Sequence, residues 1–178
     1  IQLLAAYDRS RYEVYCYSLG DREDDYTRAM QEHADIWRNL NGISVEAGSQ
    51  CIFADEIDIL VDLAGHSAGG RTLMLAAAKP APVQICGLGW FDTTGLSGMD
   101  YFLTDRICDP PGLHEAYFKE RLLRVSGGPF CYTPPKMVSR PGQLHDKIVF
   151  GCFNTFAKIT DDMLSCWLKI LRRVPGAR

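Results

Sequence analysis

Along this 178-residue chain the spacing of apolar positions changes period repeatedly, and each change marks an element. IQLLAAYDRS opens with a helix-like run over 3–7, and YEVYCYS (12–18) alternates and is rich in aromatic residues and valine, as a strand is. DREDDYTRAMQEHADIWRNL then sets Tyr26, Met30, His33, Ala34 and Trp37 at helical spacing behind an acidic start. This predicts one amphipathic helix reaching Trp37, its carboxylates at the positive end of the helix dipole. His33 reads as a residue packed on that face and carries no assigned role. A second short helix is expected over 45–56. The apolar run IDILVDLAG predicts a strand, and RTLMLAAAK a helix that stops before Pro80, because proline drives the preceding residue out of the helical region. VQICGLG (83–89), YFLTD (101–105) and RLLRV (121–125) read as further short strands. Strands alternating with helices predict an α/β architecture with a mostly parallel sheet.

The pattern breaks after residue 126. GGPFCYTPPKMVSRPGQLHD (127–146) holds four prolines and little periodicity and reads as an irregular connector. KIVFGCFN (147–154) restarts the α/β pattern as a strand. Thr160 then offers an N-cap, Asp161 and Asp162 fall in the first helical turn, and Leu164, Trp167, Leu168 and Leu171 form one face, with Arg172 and Arg173 at the far end. The expected organisation is therefore a first unit over 1–126, a connector over 127–146, and the start of a second unit over 147–178. Because the chain opens at Ile1 inside a helix-like run and stops just after a helix pattern, it reads as a piece of a longer protein.

Composition narrows the function classes. Hydrophobic residues make up 47%, charged residues 23%, and the net charge is −3, so there is no basic footprint for nucleic acid. No apolar run approaches the roughly 18 residues of a spanning helix, and no membrane role is expected. Seven scattered cysteines without a C-x-x-C pair predict reduced, mostly buried thiols of a cytoplasmic protein, with no metal site.

LAGHSAGG (63–70) carries the first candidate chemistry. Strand, Gly-x-Ser-x-Gly and helix in that order describe a serine hydrolase's nucleophile turn, with Ser67 as nucleophile. The acid and histidine that should follow are not spaced as a triad. His114 and His145 sit in or beside Pro/Gly-rich segments, and no oxyanion loop precedes the serine. Asp62 is also a charge inside a strand that ought to be apolar. The competing reading makes the glycines a tight strand-to-helix turn with Ser67 as a cap, at the strand end where open α/β sheets bind ligands. A third reading is a non-catalytic α/β module that binds partners.

Three further stretches add a resemblance. PAPVQICGLGWFDTTGLSGMDYFLTD (80–105) resembles the Pro-Ala-Pro, Gln, Gly-Tyr-Pro, Thr-Gly, Met-Asp-Tyr pattern of the protein O-GlcNAc transferase and SPINDLY family. LLRVSGGPFCYTPP (122–135) and FGCFNTFAKIT (150–160) are similar to the family's corresponding segments, and DILVDLAGHSAGGR stands where the family has its Gly-His-Thr or Gly-Tyr-Thr turn. The resemblance implies a GT-B glycosyltransferase, family 41, built from two Rossmann-like halves. This chain would supply most of the N-terminal half, without its first strand, and the first β-α unit of the nucleotide-binding half.

It further implies transfer of GlcNAc from UDP-GlcNAc to Ser or Thr of intracellular proteins, with inversion, without a metal or bound cofactor, and with tetratricopeptide repeats upstream to present the protein acceptors. GDP-fucose is the alternative donor. Lys158 matches the lysine that contacts the donor diphosphate, with Asn154 and Thr155 in the same loop. Thr155 replaces the glutamine of the animal enzymes. Leu88 and Gly89 match the loop lining the sugar pocket, and Trp90 and Phe91 replace its usual Tyr-Pro, with Phe91 retained as a donor-side residue. His66 is implied as a cleft residue. No general base is assignable.

Overall fold

A computed structural model describes residues 2–67, 71–132 and 147–178, which form two compact units, Ile1–Thr133 and Pro134–Arg178. In the first unit the order is α1 (Gln2–Ala5), β1 (Tyr15–Ser18), α2 (Asp25–His33), β2 (Ile36–Asn39), α3 (Val45–Ala54), β3 (Ile59–Asp62), α4 (Arg71–Ala77), β4 (Val83–Cys86), β5 (Tyr101–Thr104) and β6 (Arg121–Arg124). Every pairing is parallel. β1 pairs with β2, and β3-β4-β5-β6 form a four-stranded sheet. This is the α/β architecture that the alternating pattern predicts. Among the described residues no helix is long and apolar enough to cross a membrane.

Side-chain caps set where the helices start. The Asp24 carboxylate accepts from the Thr27 amide at 2.8 Å, and the Ser44 hydroxyl from the Ala47 amide at 3.1 Å, each satisfying one of the amides a helix leaves free. Where α2 ends, the sequence reading needs correction. The helix stops at His33, Ala34 is extended, and Trp37 lies in β2 opposite Cys16 of β1. The Asp35 carboxylate accepts from the Val14 amide at 2.8 Å and from the Tyr7 hydroxyl at 2.6 Å, which fastens the chain for strand pairing just where the helical spacing would have carried it onward.

The register places Leu60, Asp62, Gln84, Cys86, Phe102 and Thr104 on one face of the larger sheet. On that face lies a core of Leu73, Ala76, Cys86, Met99 and Phe102, with Trp90, Leu96, Phe118 and Leu122 at its margin. A second cluster of Leu40, Ile52 and Leu75 receives Tyr17 from β1 and Leu60 from β3, so the two sheets share it although they are not hydrogen-bonded to each other. Gln84 is fully buried, and its amide donates to Ala76 O and Gly98 O, both at 2.8 Å, which ties α4 to the loop before β5.

In the second unit a single 3-10 turn (Phe156–Lys158) precedes α5 (Asp161–Arg173). The Thr160 hydroxyl accepts from the Met163 amide at 3.3 Å, as its N-cap position predicts. The strand expected over 147–154 is not in a sheet. Among the described residues this stretch pairs with no strand, and its backbone bonds run to Arg178, from Phe150 N to Arg178 O at 2.8 Å and from Arg178 N to Ile148 O at 3.1 Å. The cysteines also differ from expectation. Only Cys86 is buried, Cys16 and Cys51 are half-buried, and Cys108, Cys131, Cys152 and Cys166 are exposed, although none is in a disulfide.

Candidate functional site

Parallel strands deliver their following loops to one edge, and in open α/β sheets that carboxyl edge is where ligands bind. The loop after β3 begins with Asp62, whose buried carboxylate accepts from the Ala64 amide at 3.2 Å and the Gly65 amide at 2.9 Å. A charge in the strand is thereby explained, since Asp62 ends the strand by turning the backbone onto its own side chain. The Cys86 thiol donates to the same carboxylate at 3.3 Å, and burial, followed by the charge of Asp62, pushes the thiol well above its ordinary range.

Ser67 closes this turn. Its amide donates to Ala64 O at 3.0 Å, and its hydroxyl donates to the same oxygen. Among the described residues no histidine hydrogen-bonds to the serine. His66 turns its ring away, with Nε2 at 2.9 Å from Thr94 O. The one His–carboxylate pair among the described residues, His114 Nδ1 to Asp109 at 2.8 Å, lines a different cavity that Ser67 does not reach. His145, and residues 68–70 of the Gly-x-Ser-x-Gly stretch, lie outside the described residues. The hydrolase reading is thus not favoured. Ser67 is held as a turn residue.

The loop after β4 is bent at its first residues. Gly89 N donates to Gly87 O at 2.8 Å across Leu88, whose φ is +67°, a γ-turn in the half of φ space that side chains other than glycine seldom enter. Such strain persists only where the surroundings impose it, and it concentrates at ligand sites. The surroundings here are the turn after β3. A Cβ on Gly89 would stand 2.0 Å from Leu63 O, and one on Gly65 would stand 2.3 Å from the Trp90 ring. Trp90 also meets the His66 ring edge-on, 5.1 Å between centroids. His66, Leu88, Gly89 and Phe91 therefore share one edge of the first unit. Phe91 is exposed, its ring 5.6 Å from that of Phe130.

Two features of this edge escaped the sequence reading. Glu120, buried just before β6, accepts from the Thr93 hydroxyl and the Thr94 amide, both at 2.7 Å, and from the Thr94 hydroxyl. Nothing local marks a glutamate after Phe-Lys as a buried acceptor. Asp109, also buried, accepts from the Thr104 hydroxyl and from His114, beside a cavity of about 620 Å³ bordered by Phe91, Thr93, Tyr117 and Phe118. His114 was visible in the sequence only as a possible triad base.

Lys158, Asn154 and Thr155 belong to the second unit, in one exposed loop. The Asn154 side-chain oxygen accepts from the Thr155 amide at 2.9 Å, and the Lys158 amide donates to Thr155 O at 2.9 Å, which closes the 3-10 turn. Among the described residues the Lys158 ammonium forms no ion pair. The acidic pair Asp161 and Asp162 already occupies the first turn of α5, so Lys158 is the positive group this loop presents. Among the described residues no three His, Cys, Asp or Glu side chains converge.

The sequence profile of Glycosyl transferase family 41 matches residues 2–131. The probable UDP-N-acetylglucosamine-peptide N-acetylglucosaminyltransferase SPINDLY of Solanum lycopersicum is 36% identical over 98% of this chain and 19% of that protein. The probable UDP-N-acetylglucosamine-peptide N-acetylglucosaminyltransferase SEC of Arabidopsis thaliana is 30% identical over 96% of this chain and 19% of its own length. A solved structure of a mutant Thermobaculum terrenum O-GlcNAc transferase matches with a TM-score of 0.89 at 38% identity, over 99% of this chain and 34% of that one. The chain spans about a fifth of the length of these curated relatives.

Proposed function

Because the chain belongs to glycosyl transferase family 41, we propose that it is the part of a nucleotide-sugar-dependent protein O-glycosyltransferase that forms the sugar-side wall of the cleft and the first contact with the donor diphosphate. The observation that carries the reading is the bent loop at the carboxyl edge. Leu88 is held at positive φ, and Gly89 is pressed against the Leu63 carbonyl, in a segment whose family match covers the entire first sheet. The donor of this proposal is UDP-GlcNAc, the sugar nucleotide for which the curated relatives are named. The acceptors are Ser and Thr hydroxyls of intracellular proteins, presented by repeats upstream, and the reaction is inverting and metal-independent.

In this reaction the acceptor oxygen bonds to the anomeric carbon as the carbon–oxygen bond to the diphosphate breaks, the bonding pair leaves with the nucleoside diphosphate, and the hydroxyl proton is released to solvent. Charge grows on the leaving oxygen. An ammonium placed there in advance stabilises it, and removing one such donor typically costs about 3–4 kcal/mol of barrier. Lys158 has the chemistry for that role, a compact cation without a competing carboxylate partner among the described residues. Asn154 and Thr155 shape the same loop, and the Thr155 hydroxyl makes no capping bond that would withhold it from a ligand. On the first unit, Leu88, Gly89 and Phe91 supply apolar and backbone contacts to the sugar, with His66 beside them.

The test uses the full-length protein with UDP-GlcNAc and GDP-fucose in parallel, following sugar transfer to protein by mass spectrometry. Transfer from UDP-GlcNAc is expected, with Lys158→Ala lowering the rate about 10²–10³-fold. Transfer from GDP-fucose alone would move the donor assignment, and transfer from neither would end the proposal.

A further inference from the structure

The loop after β4 runs from Gly87 to Asp100, long enough to wander, yet its middle is fixed by one side chain. We infer that Glu120 is a positioning residue for the sugar-side loop, holding residues 88–94 in the shape that receives the donor; this rests on the reading of that loop given above. Glu120 is 5% exposed and forms no ion pair among the described residues. A buried carboxylate without a cation is costly unless hydrogen bonds satisfy it. Here they do. One oxygen accepts from the Thr94 amide and the Thr94 hydroxyl, and the other accepts from the Thr93 hydroxyl.

The second layer of bonds shows why the residue is an acid. The Thr93 hydroxyl oxygen itself accepts from the Gly95 and Lys119 amides, both at 3.1 Å, and the Thr94 hydroxyl oxygen accepts from the Leu96 amide at 3.2 Å. Both lone pairs of Thr93 Oγ1 are thus taken, and its proton can only go outward, to Glu120. The Thr94 side faces position 120 with an amide proton and a hydroxyl proton. Every group aimed at residue 120 is therefore a donor, and only a residue that accepts at both of its oxygens satisfies them all. Glutamine has the same volume but would turn an NH₂ against one set of donors.

The grip acts on the site through short links. Thr94 O is the atom that meets His66 Nε2, and Thr93 and Phe91 border the cavity at the same edge. Glu120 acts through the two threonines it grips. It sets the height of Thr93 and Thr94, and through them the bend that carries Leu88 and Gly89.

The experiment compares wild type, Glu120→Gln, Thr93→Val and the double variant in the full-length protein. Three quantities are read: amide hydrogen exchange over residues 87–96, affinity for UDP alone, and kcat and KM for sugar transfer. Glu120→Gln is expected to speed exchange in the loop at least 10-fold and to lower kcat/KM for transfer roughly 10- to 100-fold, in line with the cost of misplacing a binding wall by about 1 Å, while UDP affinity stays within about twofold. Thr93→Val, which leaves β6 untouched, should show a weaker form of the same pattern even if Glu120→Gln folds poorly. In the double variant the two effects should not add, because both break one network. A glutamine variant with wild-type loop exchange and wild-type transfer would overturn the inference, since a residue that merely fills space tolerates glutamine. Faster exchange with unchanged transfer would overturn it equally. If wild type transfers neither sugar, it is the underlying functional reading that fails.

Discussion

Replacing Gly89 with alanine tests how closely the sugar-side loop is built against its neighbour. The added Cβ would lie 2.0 Å from Leu63 O and 3.1 Å from Leu63 C, and real Cβ contacts do not fall below 3.0 Å, so the two backbones must part by at least 1.0 Å (3.0 − 2.0). The obstacle is a main-chain carbonyl at the end of β3, which cannot swing aside as a side-chain tip would. Gly89 is outside the left-handed region, so the change introduces no conformational strain of its own. Overpacking of this kind costs about 1–3 kcal/mol, seen as a fall of roughly 4–10 °C in the unfolding temperature of this unit. A 1 Å retreat of a binding wall costs on the order of 10²-fold in rate. Gly95→Ala is the internal control, because its φ is +73° and its Cβ would meet nothing within 4 Å. It should cost only about 1 kcal/mol and leave transfer nearly intact. The assays are thermal unfolding and transfer kinetics on the full-length protein. If Gly89→Ala melts within about 1 °C of wild type and transfers sugar equally well, the two loops are not in the contact argued here.

Other expectations follow from the same edge. A fluorophosphonate probe should leave Ser67 unlabelled, and Ser67→Ala should cost no more than about 1 kcal/mol of stability; labelling at Ser67 would revive the hydrolase. The Gly112 amide, the amide of Glu115 itself and the Arg124 guanidinium hold the Glu115 carboxyl down at about 2. Since this folded value is below the ordinary one near 4.5, the associated stabilisation is fully present above that pH and is lost as pH falls toward 2. A carboxyl NMR titration should place the midpoint there, and Arg124→Ala should raise it only part of the way; a native midpoint at 4 or above would contradict the geometry.

How much of this was legible beforehand depended on whether the cause was local. Thr160, Asp161 and Asp162 announce the start of α5, because a cap and its first turn are neighbours in sequence. The strands of the larger sheet were equally plain, since short apolar runs between turn residues have few other uses. Trp37 was misread because Met30, His33, Ala34 and Trp37 fit a helical period, and the bonds from Asp35 back to Tyr7 and Val14 that break it come from more than twenty residues away. Residues 147–154 carry the composition of a strand, but a strand is completed by its partner, and here the backbone bonds go to Arg178. The charge at Asp62 counted against a hydrolase turn and proved to be the terminator of the predicted strand. Glu120 could not have been found, because its meaning lies in donors 26 and 27 residues earlier.

The contact between Gly65 and the Trp90 ring has a consequence for divergence. A tryptophan at 90 occupies the space that a side chain at 65 would need, so position 65 cannot gain a side chain while the tryptophan stays. Where relatives carry a smaller residue at 90, position 65 is released from steric control and only its φ of +55° still favours glycine. Asparagine then becomes admissible. In the two loops proposed to frame the sugar, a side chain at 65 should therefore fail beside Trp90 and succeed only when paired with a smaller residue at 90.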